Sequence, residues 1–486
     1  MAPEGGLARV EWAALGWGGP VLALYLAILA VLSLNGLHRL WLVWVWLTRR
    51  PRITPADPAV WPLVTVQLPI FNEQFVVERL IRSAAALDYP RDLLEIQVLD
   101  DSTDATTSMA ATEVERLRGQ GIDIRLVHRT DRRGFKAGAL EAGLHVARGD
   151  VLAVVDADFI PPPDFLRRTV PWLQPGVGMV QTRWGHLNAG ETWLTRVQAT
   201  LLDGHFVIEH TARHRSGRWF NFNGTAGIWR RDAILGAGGW QHDTLTEDLD
   251  LSYRSQLAGW RFVYLDHVVT PAELPADIRA FKLQQRRWAR GSVQTCRKLL
   301  GRIWASEAPL AVKVEATTHL TSNFSYPLVI LLTLLLPVAV AARILTGPSI
   351  LLLVDSVLFV FALLPFVAFY GAAILGSGAP GVGGRLVRLP LVLAVGLGLA
   401  VSQTRAVAEG LGREVGVFAR TPKTGGSAAR LYAISDRGLV GTELALALYM
   451  GIAAMWAVGS GFLAAVPFMG LFALGYGAVG VSSLRR

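Results

Sequence analysis

Several short clusters in this chain have the residue types and spacing to do chemistry. Glu247 and Asp248 open a helical pattern, TEDLDLSYRSQLAGW, and a following helix carries Gln284, Arg287 and Trp288 as Gln-x-x-Arg-Trp. Offsets of three and four place those last three side chains on one helical face. An amide, a guanidinium and an indole sharing a face can grip a phosphate and stack on a flat apolar ring. A carboxylate nearby can take a proton. Asp156 and Asp158, as Asp-x-Asp, suit a divalent cation that bridges a diphosphate: few hard oxygen ligands from protein, phosphate and water for the rest. Lys136 lies in a Gly-rich turn entering a helix, where it and the helix N-terminus together favour phosphate. Asp100 and Asp101 form one more carboxylate pair. Singly, each has a plainer reading: an amphipathic helix with a core Trp and a solvated Arg, an Asp that caps a turn, a surface Lys.

The elements that must position these residues are legible around them. Short apolar runs at 64–70 (VTVQLPI), 94–100 (LEIQVLD), 123–128 (DIRLVH), 151–157 (VLAVVDA) and 177–183 (VGMVQTR) read as strands. Helical patterns separate them, the first stopped by Asp88-Tyr89-Pro90. Such alternation predicts a largely parallel sheet, whose ligands sit at the carboxyl ends of strands. The 100–101 and 156–158 carboxylates fall at two such ends.

Composition adds a membrane. The 486 residues are 52% hydrophobic and only 17% charged, too apolar for an ordinary soluble enzyme. Residues 20–37 form an uncharged run long enough to cross a bilayer. It is followed by Trp41, Trp44 and Trp46, suited to an interfacial belt. A signal peptide is the alternative, but no basic N-terminal region or small-residue cleavage site accompanies the run. Four more candidate spans follow at 325–345, 349–375, 439–458 and 462–481, with a shorter apolar stretch at 389–401 that fits an interfacial or re-entrant segment. Arg49, Arg50, Arg52, Arg385, Arg388 and the basic stretch 403–437 orient five spans with the N-terminus outside and residues 50–320 in the cytoplasm. The expected organisation is a transmembrane and interfacial segment (1–49), a cytoplasmic domain (50–320), and a C-terminal transmembrane region (321–486). The net charge of +9 then reflects topology and phosphate chemistry. No aromatic-basic interleaving argues for nucleic acid. The single cysteine, Cys296, excludes an intrachain disulfide framework and a multi-cysteine metal site.

In order, QVLDDSTD, KAGAL, DADF-x-P, FNGTAGIWR, GGW, TEDLDLSYR, LAGWRFVYL and QQRRW resemble glycosyltransferase family 2, and within it the membrane β-glycan synthases, especially cellulose-synthase-like mannan and glucan synthases. The resemblance covers about 64–300. It implies an α/β fold of GT-A (Rossmann-like) type, a nucleotide-sugar-binding domain inserted between transmembrane α-helices of a multi-pass cell-membrane protein. The implied activity is inverting transfer of a hexose from GDP-mannose or UDP-glucose to a growing β-linked polysaccharide, processive and coupled to export, with Mg²⁺ or Mn²⁺ as cofactor. The implied partners are the donor, a polysaccharide or lipid acceptor, the bilayer and an export partner in the periplasm or cell envelope.

The implied roles are residue by residue. Asp100 and Asp101 lie near the base and ribose, and Lys136 near the diphosphate. Asp156 and Asp158 bind metal, Asp156 also facing the donor. Asp248 is the general base, supported by Glu247. Gln284 and Trp288 hold the acceptor, and Arg287 the leaving diphosphate. Phe418, Thr421 and Lys423 are similar to the gating loop of cellulose synthases, with Arg420 in place of its Val. Two other readings remain: a membrane glycosyltransferase adding one sugar to a lipid, of glucosyl-diacylglycerol synthase type, and a transporter with a nucleotide-binding regulatory domain. Against the transporter, the spans carry few ionisable residues, Arg343 and Asp355 lying near span ends.

Overall fold

The computed structural model describes residues 18–49, 55–346, 350–416 and 438–484. Phe418, Thr421 and Lys423 therefore lie outside the described residues. The chain divides into two compact units: Val45–Thr321 with the described part of Ala408–Ile434, and the described parts of Met1–Trp44, Ser322–Val407 and Ser435–Arg486.

The first unit is built on a sheet of seven strands: β1 (Val64–Ile70), β2 (Leu94–Asp100), β3 (Ile124–His128), β4 (Val151–Val154), β5 (Val177–His186), β6 (Gly227–Arg230) and β7 (Arg261–Ala272). Their order is β3-β2-β1-β4-β6-β5-β7. The β1, β2, β3 and β4 pairings and the β5–β7 pairing are parallel, while β6 runs antiparallel between β4 and β5. β2 is buried along its whole length and β1 nearly so, as expected for strands covered on both faces. On one face Val66, Leu68, Ile96 and Val98 pack with Leu80 and Ile81 of the helix Val77–Ala85; on the other, Leu99, Leu152 and Val154 pack with Leu140, Leu144 and Trp229. Truncating any of these to Ala costs about 2–5 kcal/mol. The buried Glu95 carboxylate is satisfied by Thr65 Oγ1 (2.6 Å), its register partner on β1, and by the Arg148 backbone N–H (2.9 Å).

The five expected strands are present. The fourth ends at Val154, because Asp156–Phe159 closes into a turn in which the Phe159 N–H donates to the Asp156 carbonyl at 3.0 Å. Two strands were not expected. β6 is only four residues long and follows a Gly-rich turn. In β7 the pairing with β5 shifts between Thr182 and Arg183, and such an irregularity interrupts the alternation that marks a strand.

The second unit is helical. Four helices among the described residues are long and apolar enough to cross a membrane: Gly18–Thr48, Leu310–Ala342, Val440–Gly459 and Leu463–Leu484. Ile350–Gly376 forms a further helix of 27 residues. The short apolar stretch 389–401 falls on a bent pair, Val382–Gly398 with Ala400–Leu411, at 41°. Within this unit Thr333 and Tyr476 share a buried hydroxyl pair at 2.9 Å. Gly398 and Gly475 meet backbone to backbone with no room for a Cβ, the close approach that small residues allow between spans.

Candidate active site

A cavity of about 780 Å³, its open mouth included, lies in the first unit and is lined by Lys136, Asp156, Asp158, Glu247, Asp248, Gln284, Arg287 and Trp288. Eight of the expected site residues, from four separate sequence clusters, thus converge on one space. Asp156 and Asp158 follow β4. Lys136 is the second residue of the helix Phe135–Val146, entered through Gly134 at φ +75°. Glu247 and Asp248 are the first two residues of the helix Glu247–Leu257. Gln284, Arg287 and Trp288 share a face of the 28-residue helix Ile278–Ala305, begun by Asp277, whose carboxylate accepts from the Arg279 N–H at 2.7 Å.

Lys136 ties the polar wall together. Its Nζ lies 2.5 Å from Asp156 Oδ1 and 4.0 Å from Glu247 Oε1, and donates to the Gly224 carbonyl at 2.9 Å. Burial works to lower its pKa, but the Asp156 and Glu247 carboxylates outweigh burial and hold it above the ordinary lysine value. Asp248 Oδ1 accepts from the Leu249 N–H at 2.8 Å. Its Oδ2 lies over Gly224, where an added Cβ would come within 2.9 Å of it. Gly224 also has φ +82°, so both its backbone conformation and this close approach call for glycine.

Burial first, then the Glu247 carboxylate beside it, pushes the Asp248 carboxyl up to about 7. Burial likewise raises Glu247, opposed by Lys136. Arg287 is half-buried near Glu247, Asp156, Asp248 and Asp158; desolvation pulls its guanidinium below its ordinary value while those carboxylates oppose the shift. Among the described lining residues, two cations, Lys136 and Arg287, thus lie with these four carboxylates. Glu273, also in the wall, is engaged by Arg79 at 3.3 Å.

No cluster of three or more His, Cys, Asp or Glu able to hold a metal is present among the described residues. Asp156 and Asp158 supply two hard carboxylates at one strand end, in the wall of the cavity. That donor set fits a Mg²⁺ or Mn²⁺ ion completed by diphosphate and water.

Asp100 and Asp101 do not line this cavity. Asp100 accepts from the Ser102 N–H (2.9 Å) and Thr107 Oγ1 (2.7 Å) and lies 2.9 Å from His128 Nδ1. Asp101 receives Arg129 through Nε at 2.8 Å and Nη2 at 2.6 Å. Sequence reasoning missed Trp184, His186, Asn223 and Gly224 as wall residues. Gly224 was visible inside FNGTAGIWR; Trp184 and His186 carried only the weak signal of an aromatic and a His at a strand's carboxyl end.

Residues 62–291 match the family described as glycosyltransferase like family 2, and the sheet of the first unit is the expected GT-A-like mixed α/β sheet. Among relatives, the glucomannan 4-beta-mannosyltransferase 2 of Arabidopsis thaliana is 46% identical over 245 residues, covering 49% of this chain and 46% of that protein. The glucomannan 4-beta-mannosyltransferase 1 of Oryza sativa subsp. japonica is 41% identical over 289 residues, 57% and 55% of the two chains. The chain thus spans about half the length of the curated relatives it matches. A mannosyltransferase from Pyrobaculum calidifontis, solved with GDP-Man and Mn²⁺, superposes with a TM-score of 0.54 at 25% identity, covering 74% of this chain and 98% of that one.

Proposed function

We propose that this chain is a membrane-embedded, inverting glycosyltransferase that moves mannose from GDP-mannose to the end of a growing β-linked polysaccharide. One observation carries the reading: a half-buried carboxylate near neutral pKa, Asp248, shares a cavity with Lys136, Arg287 and an Asp-x-Asp pair. Inversion is a single displacement. The acceptor hydroxyl attacks the anomeric carbon, Asp248 takes the hydroxyl proton, and the bond from that carbon to the diphosphate oxygen breaks with its electrons on the diphosphate. Lys136 and Arg287 stabilise the charge that develops there. A divalent ion held by Asp156 and Asp158 supplies further positive charge to the leaving group when bound. Gln284 and Trp288 seat the acceptor, the indole packing on the apolar face of a sugar ring. The mannosyltransferase relatives and the neighbour solved with GDP-Man support mannose over glucose.

Positive-inside bias supports a cytoplasmic catalytic domain, with polymer leaving through the membrane unit. Inside-out vesicles given radiolabelled GDP-mannose or UDP-glucose at the cytoplasmic face test donor, product and side together. A protected ladder of β-linked mannan from GDP-mannose is expected. A single labelled lipid would make the chain a lipid glycosyltransferase, and no transfer from either donor would refute the reading.

A further inference from the structure

We propose that residues 408–416 form a positioning strap for the general base, acting through the Gln294 amide on the loop that carries Glu247 and Asp248; the proposal rests on the glycosyl-transfer reading above. The strap belongs to the same unit as the cavity. It lies along the helix Ile278–Ala305 on Arg286, Arg290, Gln294 and Arg297, whose spacings of three and four put them on one face. Glu409 pairs with Arg286 and, at 3.4 Å, with Arg290. Arg290 Nη2 donates to the Glu414 carbonyl at 2.9 Å, and Arg297 Nη1 to the Gly410 carbonyl at 3.1 Å. Gly410 sits so close to the helix that an added Cβ would come within 2.8 Å of Val293 Cβ and 2.9 Å of the Arg290 carbonyl oxygen. The same helix presents Gln284, Arg287 and Trp288 to the cavity.

Gln294 joins the strap to the catalytic loop. It is buried, and its two amide atoms serve different segments. Nε2 donates to the carbonyls of Glu414 (3.3 Å) and Val415 (3.1 Å), while Oε1 accepts from the Leu245 N–H at 2.9 Å. Carbonyls only accept and a backbone N–H only donates, so this amide fits in one orientation. Leu245 lines the cavity and stands two residues before Glu247. The helix that begins at Glu247 is held from outside. Thr246 occupies its N-cap, yet among the described residues its hydroxyl makes no capping bond to that helix; it lies 3.4 Å from Thr295 Oγ1 instead. Thr246 also packs against Gly291, where an added Cβ would come within 2.5 Å of Thr246 Cγ2. Leu245 and Thr246 are thus seated on Gly291, Gln294 and Thr295, and the strap shares the Gln294 seat. A loosened strap leaves the Nε2 donors of a buried amide unpaired, and an amide that turns to satisfy them gives up the Leu245 N–H. Gln294 is a positioning residue here: it acts through the backbone that aims Asp248.

The test uses the purified full chain, followed by hydrogen–deuterium exchange and separately by transfer from GDP-mannose. Gln294→Leu removes both arms of the amide. Gly410→Ala forces the strap off the helix and leaves Gln294 in place. Gly410→Ala is expected to speed exchange at 244–250 about tenfold and to leave β2 unchanged, whereas a general loss of fold speeds both. Each single variant is expected to lower kcat about tenfold, the cost of a small misplacement of a reacting group. KM for GDP-mannose should change less than about twofold, since Lys136 and Arg287 remain. Because the strap acts through Gln294, the double variant falls no further than Gln294→Leu alone. Unchanged exchange at 244–250 overturns the coupling, as does a double variant whose two losses multiply, or a raised KM with kcat intact. If Gly410→Ala speeds exchange in β2 as well, Glu409→Gln, which weakens the strap without added bulk, replaces it under the same expectations. If wild type transfers nothing from GDP-mannose, the donor reading fails and exchange alone decides the coupling.

Discussion

The two carboxylate clusters at the ends of β2 and β4 share a sheet and a sequence pattern, yet their surroundings differ. At the β2 end, Asp100 and Asp101 are enclosed by their own chain: two oxygens meet a backbone N–H, a threonine hydroxyl and a histidine, and the other pair meets Arg129 in a two-pronged contact. At the β4 end, Asp156 and Asp158 join Glu247 and Asp248, with Lys136 and Arg287 as the cations among the described residues of the same cavity wall. Carboxylates gathered around a cavity are open to a ligand or cation, and burial together with the adjacent Glu247 holds the Asp248 carboxyl near neutrality.

The largest effect that sharpens this contrast belongs to Asp248→Asn. The variant keeps the shape of the side chain and loses the proton acceptor, so single-turnover transfer falls by about 10²–10⁴-fold while donor affinity, measured by equilibrium binding, stays near wild type. Asp158→Ala removes one of the two hard ligands beside β4; steady-state turnover falls roughly 10²-fold, and EDTA abolishes wild-type activity until Mg²⁺ or Mn²⁺ is restored. Full activity in EDTA would reduce Asp156 and Asp158 to turn residues. Gly224→Ala forces a Cβ into a left-handed backbone and against Asp248 Oδ2. Strain of about 1–3 kcal/mol lowers the Tm, and turnover drops more than the stability loss explains. Asp101→Asn, by contrast, loosens the ion pair with Arg129. A loss of about 1–3 kcal/mol in urea unfolding is expected, with a smaller fall in turnover than Asp158→Ala gives. If Asp101→Asn proved the more damaging to turnover, the contrast between the clusters would break.

Much of the site was legible because its residues sit where chain direction itself points. Strand ends and helix starts are punctuated in sequence, so Asp156, Asp158, Lys136, Glu247 and Asp248 could be placed before any coordinates. The three-and-four spacing put Gln284, Arg287 and Trp288 on one face, and they line one cavity. What sequence could not convey was long-range closure. β6 inserts antiparallel between β4 and β5, carrying the preceding turn so that Gly224 lies against both Lys136 and Asp248. Nothing local to FNGTAGIWR encodes that approach. For Asp100 and Asp101 the limit is that sequence shows a strand-end carboxylate pair but not that Arg129 and His128 lie against it.

The most direct test of Asp248 as the proton acceptor is the pH dependence of kcat/KM, which reports ionisations in the free enzyme. Asp248 acts as a base only when deprotonated, and burial with Glu247 beside it raises its carboxyl to about 7. For wild type, kcat/KM should therefore fall about tenfold per pH unit on the acid side of an inflection near 7, and level off above it. The residual activity of Asp248→Asn should lose that inflection. A wild-type profile flat from pH 5 to 8, or the same inflection persisting in Asp248→Asn, would contradict the assignment of Asp248 as the base.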